Sequence, residues 1–341
     1  MFPGYFLASP CSTGFICQMT VNSQIAGEPD FRVDGHVDIL YAMFESHPKV
    51  PFEELTGLPV TLDKINSANV FISVAALYCP DLHNGAGAAA FLSGLMAYAD
   101  KYLTGLSHIR SAGDLNDCIR QKTPGVIWLI ENADALLEFD RSKLAEAGIR
   151  VAGLTHMGKN RIGDGNNVPF PEGLTNEGKT LVKQLAREGF AFDAAHLAEP
   201  GFRDLIRIFD GPLISSHTGV RALHNIPRNL TRDQVAAILE RKGVIGIAAD
   251  PAMLTSSGEA SIEDIFRHID WIAQSFEVDG IGIGTDFCGF HTVNSGFEDI
   301  TRLADLERIM LQHGYSEPSI RKIMGGNWRV FYESLLGQGT L

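Results

Sequence analysis

The stretch Val126-Ile127-Trp128-Leu129-Ile130-Glu131 places five consecutive apolar residues directly before a carboxylate. Similar short runs recur along the chain, rich in Val, Ile and Phe and without clean alternation of polar and apolar residues. This pattern is typical of strands buried on both faces, as in a parallel sheet covered by helices. The eight runs are residues 31–35, 69–76, 126–130, 149–154, 190–195, 212–215, 243–248 and 280–284.

Segments with helical periodicity separate most of these runs. The clearest is 231–242, where Thr231 and Gln234 form a capping-box pattern and Gly243 follows as a stop signal. Eight strand–helix repeats predict an α/β protein, a (β/α)8 TIM-type barrel, with 298–335 as additional C-terminal helices. A doubly wound open sheet is the alternative topology, because counting strand–helix units does not distinguish a closed sheet from an open one.

Composition sets limits on the kind of protein. The chain has 341 residues, 45% of them hydrophobic, and a net charge of −13. It can bury a sizeable core, and the acidic balance disfavours nucleic-acid or anionic-membrane binding. We expect a loosely ordered N-terminal extension, 1–27, followed by one domain, 28–341. No apolar stretch reaches the length of a membrane span, and the first residues lack the pattern of a signal peptide.

The five cysteines share no paired spacing that would predict a disulfide framework or a zinc knuckle. We therefore predict reduced thiols and a cytoplasmic location.

Polar residues follow six of the eight predicted strands. In a TIM-type barrel the carboxyl ends of all strands meet on one face, where catalytic residues gather. Three imidazoles and three carboxylates brought together there favour a divalent metal site, because cations such as Zn²⁺ accept mixed nitrogen and oxygen ligands. These six residues are His36, Asp38, Glu131, His196, His217 and Asp286, and a fourth strand-end histidine is His156.

Other chemistries have weaker support. The glycines of 280–284 do not match a dinucleotide-binding loop, since Asp286-Phe287-Cys288 follows them instead of a helix; we interpret them as thinning a crowded strand. The triplet Ser215-Ser216-His217 lacks the sequence context of a nucleophilic serine. Cys288 is interpreted as a small packed residue rather than a nucleophile or metal ligand.

The motifs in their order along the chain resemble the membrane (renal) dipeptidase family, a binuclear zinc branch of the metal-dependent amidohydrolase superfamily. The resemblance extends from about residue 33 to 336. Its carriers are the segments 34–38 (DGHVD), 153–156 (GLTH), 173–178 (GLTNEG), 193–196 (DAAH), 216–218 (SHT), 227–229 (PRN), 284–287 (GTDF) and 325–327 (GGN).

The resemblance implies a role for each candidate residue. His36 and Asp38 would hold a first zinc ion, His196 and His217 a second, and Glu131 would bridge both together with a water or hydroxide. Asp286 would contact the first metal and accept the proton of the bridging water. His156 would stabilise the tetrahedral oxyanion, and Arg228 would bind the terminal carboxylate of the substrate, for which its planar, permanently charged fork is suited. A homodimer is implied only by this resemblance.

Two segments depart from the family pattern: Glu131-Asn132-Ala133-Asp134 replaces a glycine-rich stretch containing histidine, and Cys288 stands where the pattern DFDG has its second aspartate. We expect these changes to alter the wall of the substrate pocket.

The leading hypothesis is a zinc metallodipeptidase that hydrolyses a dipeptide or similar small amide with a free C-terminal carboxylate, by attack of a zinc-bridging hydroxide. The first alternative is an amidohydrolase acting on an N-acyl amino acid, lactam or cyclic amide. The second is a catalytically silent barrel that acts as a binding protein.

Overall fold

Nine parallel strands form the centre of the computed structural model, which describes residues 31–46, 49–292 and 294–337. The predicted N-terminal extension, 1–27, lies outside the described residues. The strands are β1 (Arg32–Val37), β2 (Val70–Tyr78), β3 (Ser107–His108), β4 (Gly125–Glu131), β5 (Val151–Gly153), β6 (Ala191–Asp193), β7 (Leu213–Thr218), β8 (Ile245–Ile247) and β9 (Ile281–Ile283).

The strand order β2-β1-β9-β8-β7-β6-β5-β4 is closed by pairing between β2 and β4, in which Ile72 opposes Gly125 and Tyr78 opposes Glu131. The predicted (β/α)8 barrel is therefore confirmed, and the open-sheet alternative is excluded. Each of the eight apolar runs supplies one barrel strand. The short strand β3 was not predicted, because Ser107–His108 has no apolar run; it pairs only with the beginning of β4.

Helices surround the barrel. The predicted capping box of Thr231 and Gln234 is present at the start of one of them, and the predicted C-terminal helices are also found. The α-helices are α1 (Ile39–Ser46), α2 (Leu62–Ser67), α3 (Ala88–Tyr102), α4 (Ala112–Gln121), α5 (Ser142–Glu146), α6 (Asn176–Arg187), α7 (Glu199–Ile208), α8 (Arg232–Glu240), α9 (Pro251–Leu254), α10 (Ile262–Phe276), α11 (Leu303–Gln312), α12 (Glu317–Arg321) and α13 (Asn327–Gly337).

The last helix, α13, packs against the inside of the barrel. Its Trp328 is fully buried and donates a hydrogen bond from Nε1 to the carbonyl of Ile283 at 2.9 Å. A Cβ atom at Gly35 or Gly282 would collide with the Trp328 ring. Gly282 thus makes room for an aromatic side chain, which agrees with the interpretation of 280–284 as a crowded strand. A cavity lies at the carboxyl ends of the strands, and no residue of α13 lines it.

Candidate metal centre and active site

The six predicted metal ligands converge at the carboxyl ends of five strands. His36 lies in β1 with Asp38 directly after it, Glu131 ends β4, and His217 lies in β7. His196 and Asp286 each follow their strand, β6 or β9, by three residues. All six side chains are buried. They belong to groups of His, Asp and Glu whose nitrogen and oxygen atoms lie within 4.8 Å of one another.

The backbone is strained at two of these positions. His196 and Asp286 both have φ of 62°, in the left-handed region that residues with a Cβ atom rarely adopt. Each residue follows a buried strand and turns its side chain into the centre of the barrel mouth. Such strain persists only where the surrounding structure holds it, and it clusters at functional sites.

Glu131 stands between two sets of ligand atoms. Its Oε2 lies 3.6 Å from Nε2 of His36, which is also 3.6 Å from Oδ2 of Asp38. Its Oε1 lies 3.0 Å from Nε2 of His196 and 3.8 Å from Nε2 of His217. Asp286 Oδ1 lies 3.9 Å from the His36 nitrogen and 4.0 Å from that of His217. The two carboxylate oxygens of Glu131 therefore face different histidines.

These spacings fit a metal centre. Ligand atoms about 2.0–2.2 Å from a tetrahedral zinc ion are separated by roughly 3.3 Å, and the measured separations lie on both sides of that value. In the described part of the chain, Nε2 of His36 and Oδ1 of Asp38 are buried without a hydrogen-bond partner. Buried polar atoms are rarely left unpaired, so a cation is the partner that this donor set calls for.

Burial also keeps two imidazoles in the form that binds metal. It lowers the pKa of His196 and of His217 well below 6.5, and the charge of Arg228 adds to this effect. For Asp286, burial and the neighbouring Asp38 charge raise the pKa well above its usual range. Burial would raise the pKa of Glu131 as well, but the charge of His36 and hydrogen bonds from His196 and His36 hold it well below its usual range. The Glu131 and Asp38 carboxylates raise the pKa of His36 well above 6.5 despite its burial. The Glu131 anion and the neutral imidazoles of His196 and His217 are a suitable metal-binding arrangement.

A serine hydroxyl orients two of the histidines by hydrogen bonding to their Nδ1 atoms. Ser216 Oγ lies 3.0 Å from Nδ1 of His36 and 2.8 Å from Nδ1 of His217. Its own backbone N–H donates to Asp193 Oδ1 at 2.9 Å. With their Nδ1 atoms engaged by Ser216, both rings are left with Nε2 for the centre. Hydrogen bonds of this kind fix the orientation of metal-binding histidines.

His156 and Arg228 line the same cavity, which has a volume of about 430 Å³. Nδ1 of His156 lies 3.4 Å from both Tyr78 Oη and Asp81 Oδ2. Arg228 donates from Nη2 to the carbonyl of His217 at 2.8 Å and lies 3.4 Å from Nε2 of His196. The structure therefore brings all eight sequence-predicted site residues together.

One of the two departures from the family pattern lies away from the cavity wall. The carboxylate of Asp134 accepts hydrogen bonds from the backbone N–H of Gly85 and from Arg161, and Asn132 donates to the carbonyl of Cys79. Neither Asn132 nor Asp134 lines the cavity described above. The expectation of an altered wall is wrong for this segment, because its polar side chains tie loops together; Cys288 and Gly289 do line the cavity.

Two aspartates at or near the cavity were not predicted from the sequence. Asp81 follows β2 and contacts His156, and Asp250 follows β8 and lines the cavity. These are the two strands for which no polar end residue was assigned. Both aspartates lie a few residues beyond the end of the apolar run, so extending the search along each loop would have found them.

A model of the membrane dipeptidases, peptidase family M19, matches residues 29–335. The chain belongs to this family. The resemblance inferred from the motifs is confirmed, and the protein is a metallopeptidase of the dipeptidase type. The chain is 31% identical over 230 residues to an uncharacterized protein of the pqqA 5′ region of Klebsiella pneumoniae, over 64% of this chain and 84% of that one. It is 28% identical over 183 residues to the dipeptidase tcpJ of Claviceps purpurea, over 53% of this chain and 43% of the relative.

Solved structures of family members superpose on this chain. The dipeptidase AC, a family M19 metallopeptidase, has a TM-score of 0.81 at 27% identity, covering 90% of this chain and 99% of its own. A second structure is a metallopeptidase from Rhodobacter sphaeroides liganded with a phosphinate mimic of the dipeptide L-Ala-D-Ala. It has a TM-score of 0.78 at 26% identity, covering 89% of this chain and 98% of its own. Among the described residues, no helix is long and apolar enough to cross a membrane.

Proposed function

We propose that the protein is a zinc dipeptidase that hydrolyses the amide bond of a dipeptide, or of a similar small substrate with a free C-terminal carboxylate. The observation that carries this proposal is the position of Arg228, a cation in the cavity whose floor is formed by the candidate metal ligands. The Rhodobacter sphaeroides relative, which binds a dipeptide mimic, supports the substrate class.

We infer two zinc ions per chain. His36 and Asp38 would hold the first ion and His196 and His217 the second, with Asp286 beside the first. The placement of the Glu131 oxygens toward different histidines supports a bridging role for this carboxylate. When bound, such ions polarise the amide carbonyl and lower the pKa of a shared water to near neutrality.

The protein side chains would divide the remaining tasks. Arg228 would bind the C-terminal carboxylate of the substrate and so orient the amide bond over the centre. Asp286, whose Oδ1 lies 3.9 Å from Nε2 of His36, would take a proton from the attacking water and deliver it to the leaving amine. His156, held through Nδ1 by Asp81 and Tyr78, would donate from Nε2 to the oxyanion that forms at the carbonyl.

The same residues support a neighbouring activity. Cys288 changes the cavity wall relative to the family pattern, which favours a test of N-acyl amino acids, lactams and cyclic amides beside dipeptides. A silent binding protein is the outcome if zinc-loaded protein hydrolyses none of them. A homodimer and a cytoplasmic location remain predictions; sedimentation analysis and cell fractionation test them.

The decisive variant is Asp286→Asn. Loss of the proton carrier is expected to lower kcat/KM for alanyl dipeptides by about 10²–10⁴-fold, while elemental analysis still finds zinc. Asp233→Asn, an exposed change in the first turn of α8, is the matched control and is expected to keep wild-type activity. Full hydrolysis by the Asp286 variant would overturn the proposed mechanism.

A further inference from the structure

Asp250 brings a carboxylate into the cavity that the proposed mechanism does not use. It lies three residues after β8 and caps α9, where its Oδ1 accepts a hydrogen bond from the backbone N–H of Ala252 at 3.0 Å. It lines the same cavity as Arg228. Its Oδ2 has no hydrogen-bond or ion-pair partner within the described residues, and this oxygen is therefore available to a ligand.

Asp250 is fixed in position relative to Arg228. Asn229, the neighbour of Arg228, donates from Nδ2 to the carbonyl of Met253 in α9 at 2.8 Å. The backbone N–H of Ala249 donates to the carbonyl of Thr285 at 2.9 Å, which ties the approach to α9 to the segment carrying Asp286. The two charged side chains therefore project from loops that are bonded together. A rigid pair of this kind can bind two groups of one ligand at a set spacing.

The charges of the cavity leave Asp250 without a partner once the site is loaded. Asp38, Glu131 and Asp286 are assigned to the metal centre, and the substrate carboxylate is assigned to Arg228. In the described part of the chain, Arg228 is the only Lys or Arg that lines this cavity. Burial raises the pKa of Asp250, against the lowering effects of the Ala252 hydrogen bond and the Arg228 charge. Asp250 is a partly buried anion, and Arg228 is already assigned to the substrate carboxylate. A cationic group on the ligand would therefore compensate the charge of Asp250.

We propose that Asp250 forms a subsite for a cationic side chain on the C-terminal residue of the substrate, of the lysine or arginine type. This inference rests on the proposed function, in which Arg228 binds the C-terminal carboxylate. The C-terminal residue then lies against the loops of Arg228 and α9, and its side chain reaches the Asp250 carboxylate. The free ammonium group of the N-terminal residue belongs to the other side of the amide bond.

The test compares alanyl-lysine with alanyl-norleucine, which has the same chain without the charge. Wild-type enzyme is expected to prefer the lysine substrate by about 10-fold or more in kcat/KM, the size of one charge-assisted hydrogen bond. Asp250→Asn keeps an oxygen that can cap α9 and removes only the charge. In this variant the ratio of kcat/KM for the two substrates is expected to fall to within about 2-fold of 1, because the charge-assisted hydrogen bond is lost.

Asp140→Asn is the matched control. Like Asp250, Asp140 accepts a hydrogen bond from the backbone N–H of the residue two positions later, which is Ser142. Unlike Asp250, it is exposed and does not line the cavity. It is expected to keep the wild-type ratio. Equal activity of wild-type enzyme on both substrates overturns the subsite while leaving the dipeptidase proposal intact, whereas no activity on either refutes the proposed function itself. If Asp250→Asn lowers kcat/KM equally for every dipeptide and leaves the hydrolysis of N-acetyl-lysine unchanged, Asp250 binds the N-terminal ammonium group instead. That result would overturn the subsite.

Discussion

Position in the cavity determines the chemistry of Cys288. Its side chain lies in the wall beside the candidate metal centre, and burial together with the Asp38 charge raises its pKa to about 12. At neutral pH the group is therefore a thiol, and thiols are poor nucleophiles and poor metal ligands. This agrees with its interpretation as a small packed residue.

Alkylation of the native protein tests this property. At pH 8, Cys288 is expected to react with iodoacetamide at least about 10-fold more slowly than a free thiol of pKa near 8.5. Peptide mapping by mass spectrometry gives the rate for each cysteine separately. The urea-unfolded protein is the control, in which Cys288 should react at the rate of a free thiol. Rapid alkylation in the folded state would contradict the raised pKa.

Among single residues, the convergence of the six candidate ligands could be predicted because each of them lies just beyond an apolar run. Ser216 could not be assigned its orienting role, because nothing in Ser215-Ser216-His217 reveals that its hydroxyl also meets His36, which is 180 residues away. Asp81 was missed because it lies a few residues beyond its apolar run, and its pairing with His156 could not be inferred from the local sequence. Its contact with His156 spans 75 residues and exists only because β2 and β5 end on the same face.

At the scale of elements, a buried histidine joins the loop after β7 to α9 and α10. His268, in α10, accepts a hydrogen bond at Nδ1 from the backbone N–H of Val220 at 2.8 Å. Its Nε2 lies 3.1 Å from the carbonyl of Leu254, to which it donates. Both ring nitrogens are therefore committed in the neutral form, and a second proton on Nδ1 would break the bond to Val220. His268 thus holds the elements that position Arg228 and Asp250.

This contact predicts acid sensitivity. Burial lowers the pKa of His268 from 6.5 to about 4, so the unfolded chain binds the proton more tightly than the folded protein. The stabilisation is complete above pH 6.5 and is lost as the pH falls toward 4, with a total of about 3 kcal/mol. His268→Gln retains an acceptor and a donor but does not titrate.

The measurement is the free energy of unfolding in urea at several pH values, with chelator present in both proteins. Between pH 7 and pH 4 the wild type is expected to lose about 3 kcal/mol more than His268→Gln. Parallel pH profiles for the two proteins would contradict the assignment.

At the scale of the whole molecule, the barrel gathers three carboxylates and three imidazoles in a buried centre. Asp38, Glu131 and Asp286 repel one another there unless cations are present, as the raised pKa of Asp286 indicates. Two Zn²⁺ ions would balance the charge of the three carboxylates together with that of a shared hydroxide. Folding and metal binding are therefore expected to be coupled.

Zinc removal should lower the thermal stability of the protein. Each ion that binds only the folded state stabilises it by about 2.7 kcal/mol at a hundredfold excess over Kd. We expect the chelator-treated protein to unfold at a lower temperature in calorimetry and to recover on adding about two equivalents of zinc. Glu131→Gln, which removes the proposed bridging charge, should show a smaller recovery. A Tm that responds to neither chelator nor zinc would contradict a zinc centre.

The sequence by itself determined a parallel sheet of eight buried strands, because eight apolar runs separated by amphipathic helices must be covered on both faces, whereas the pairing of β2 with β4 decided that this sheet closes into a barrel. It also determined which residues stand at the strand ends. Only the tertiary structure decided that Glu131 directs its two oxygens to different histidines, that Asn132 and Asp134 bind loops instead of lining the cavity, and that Asp250 shares the cavity with Arg228. These relations depend on closure of the sheet between β2 and β4 and on loop contacts between distant residues, and local sequence pattern carries no information about such distances.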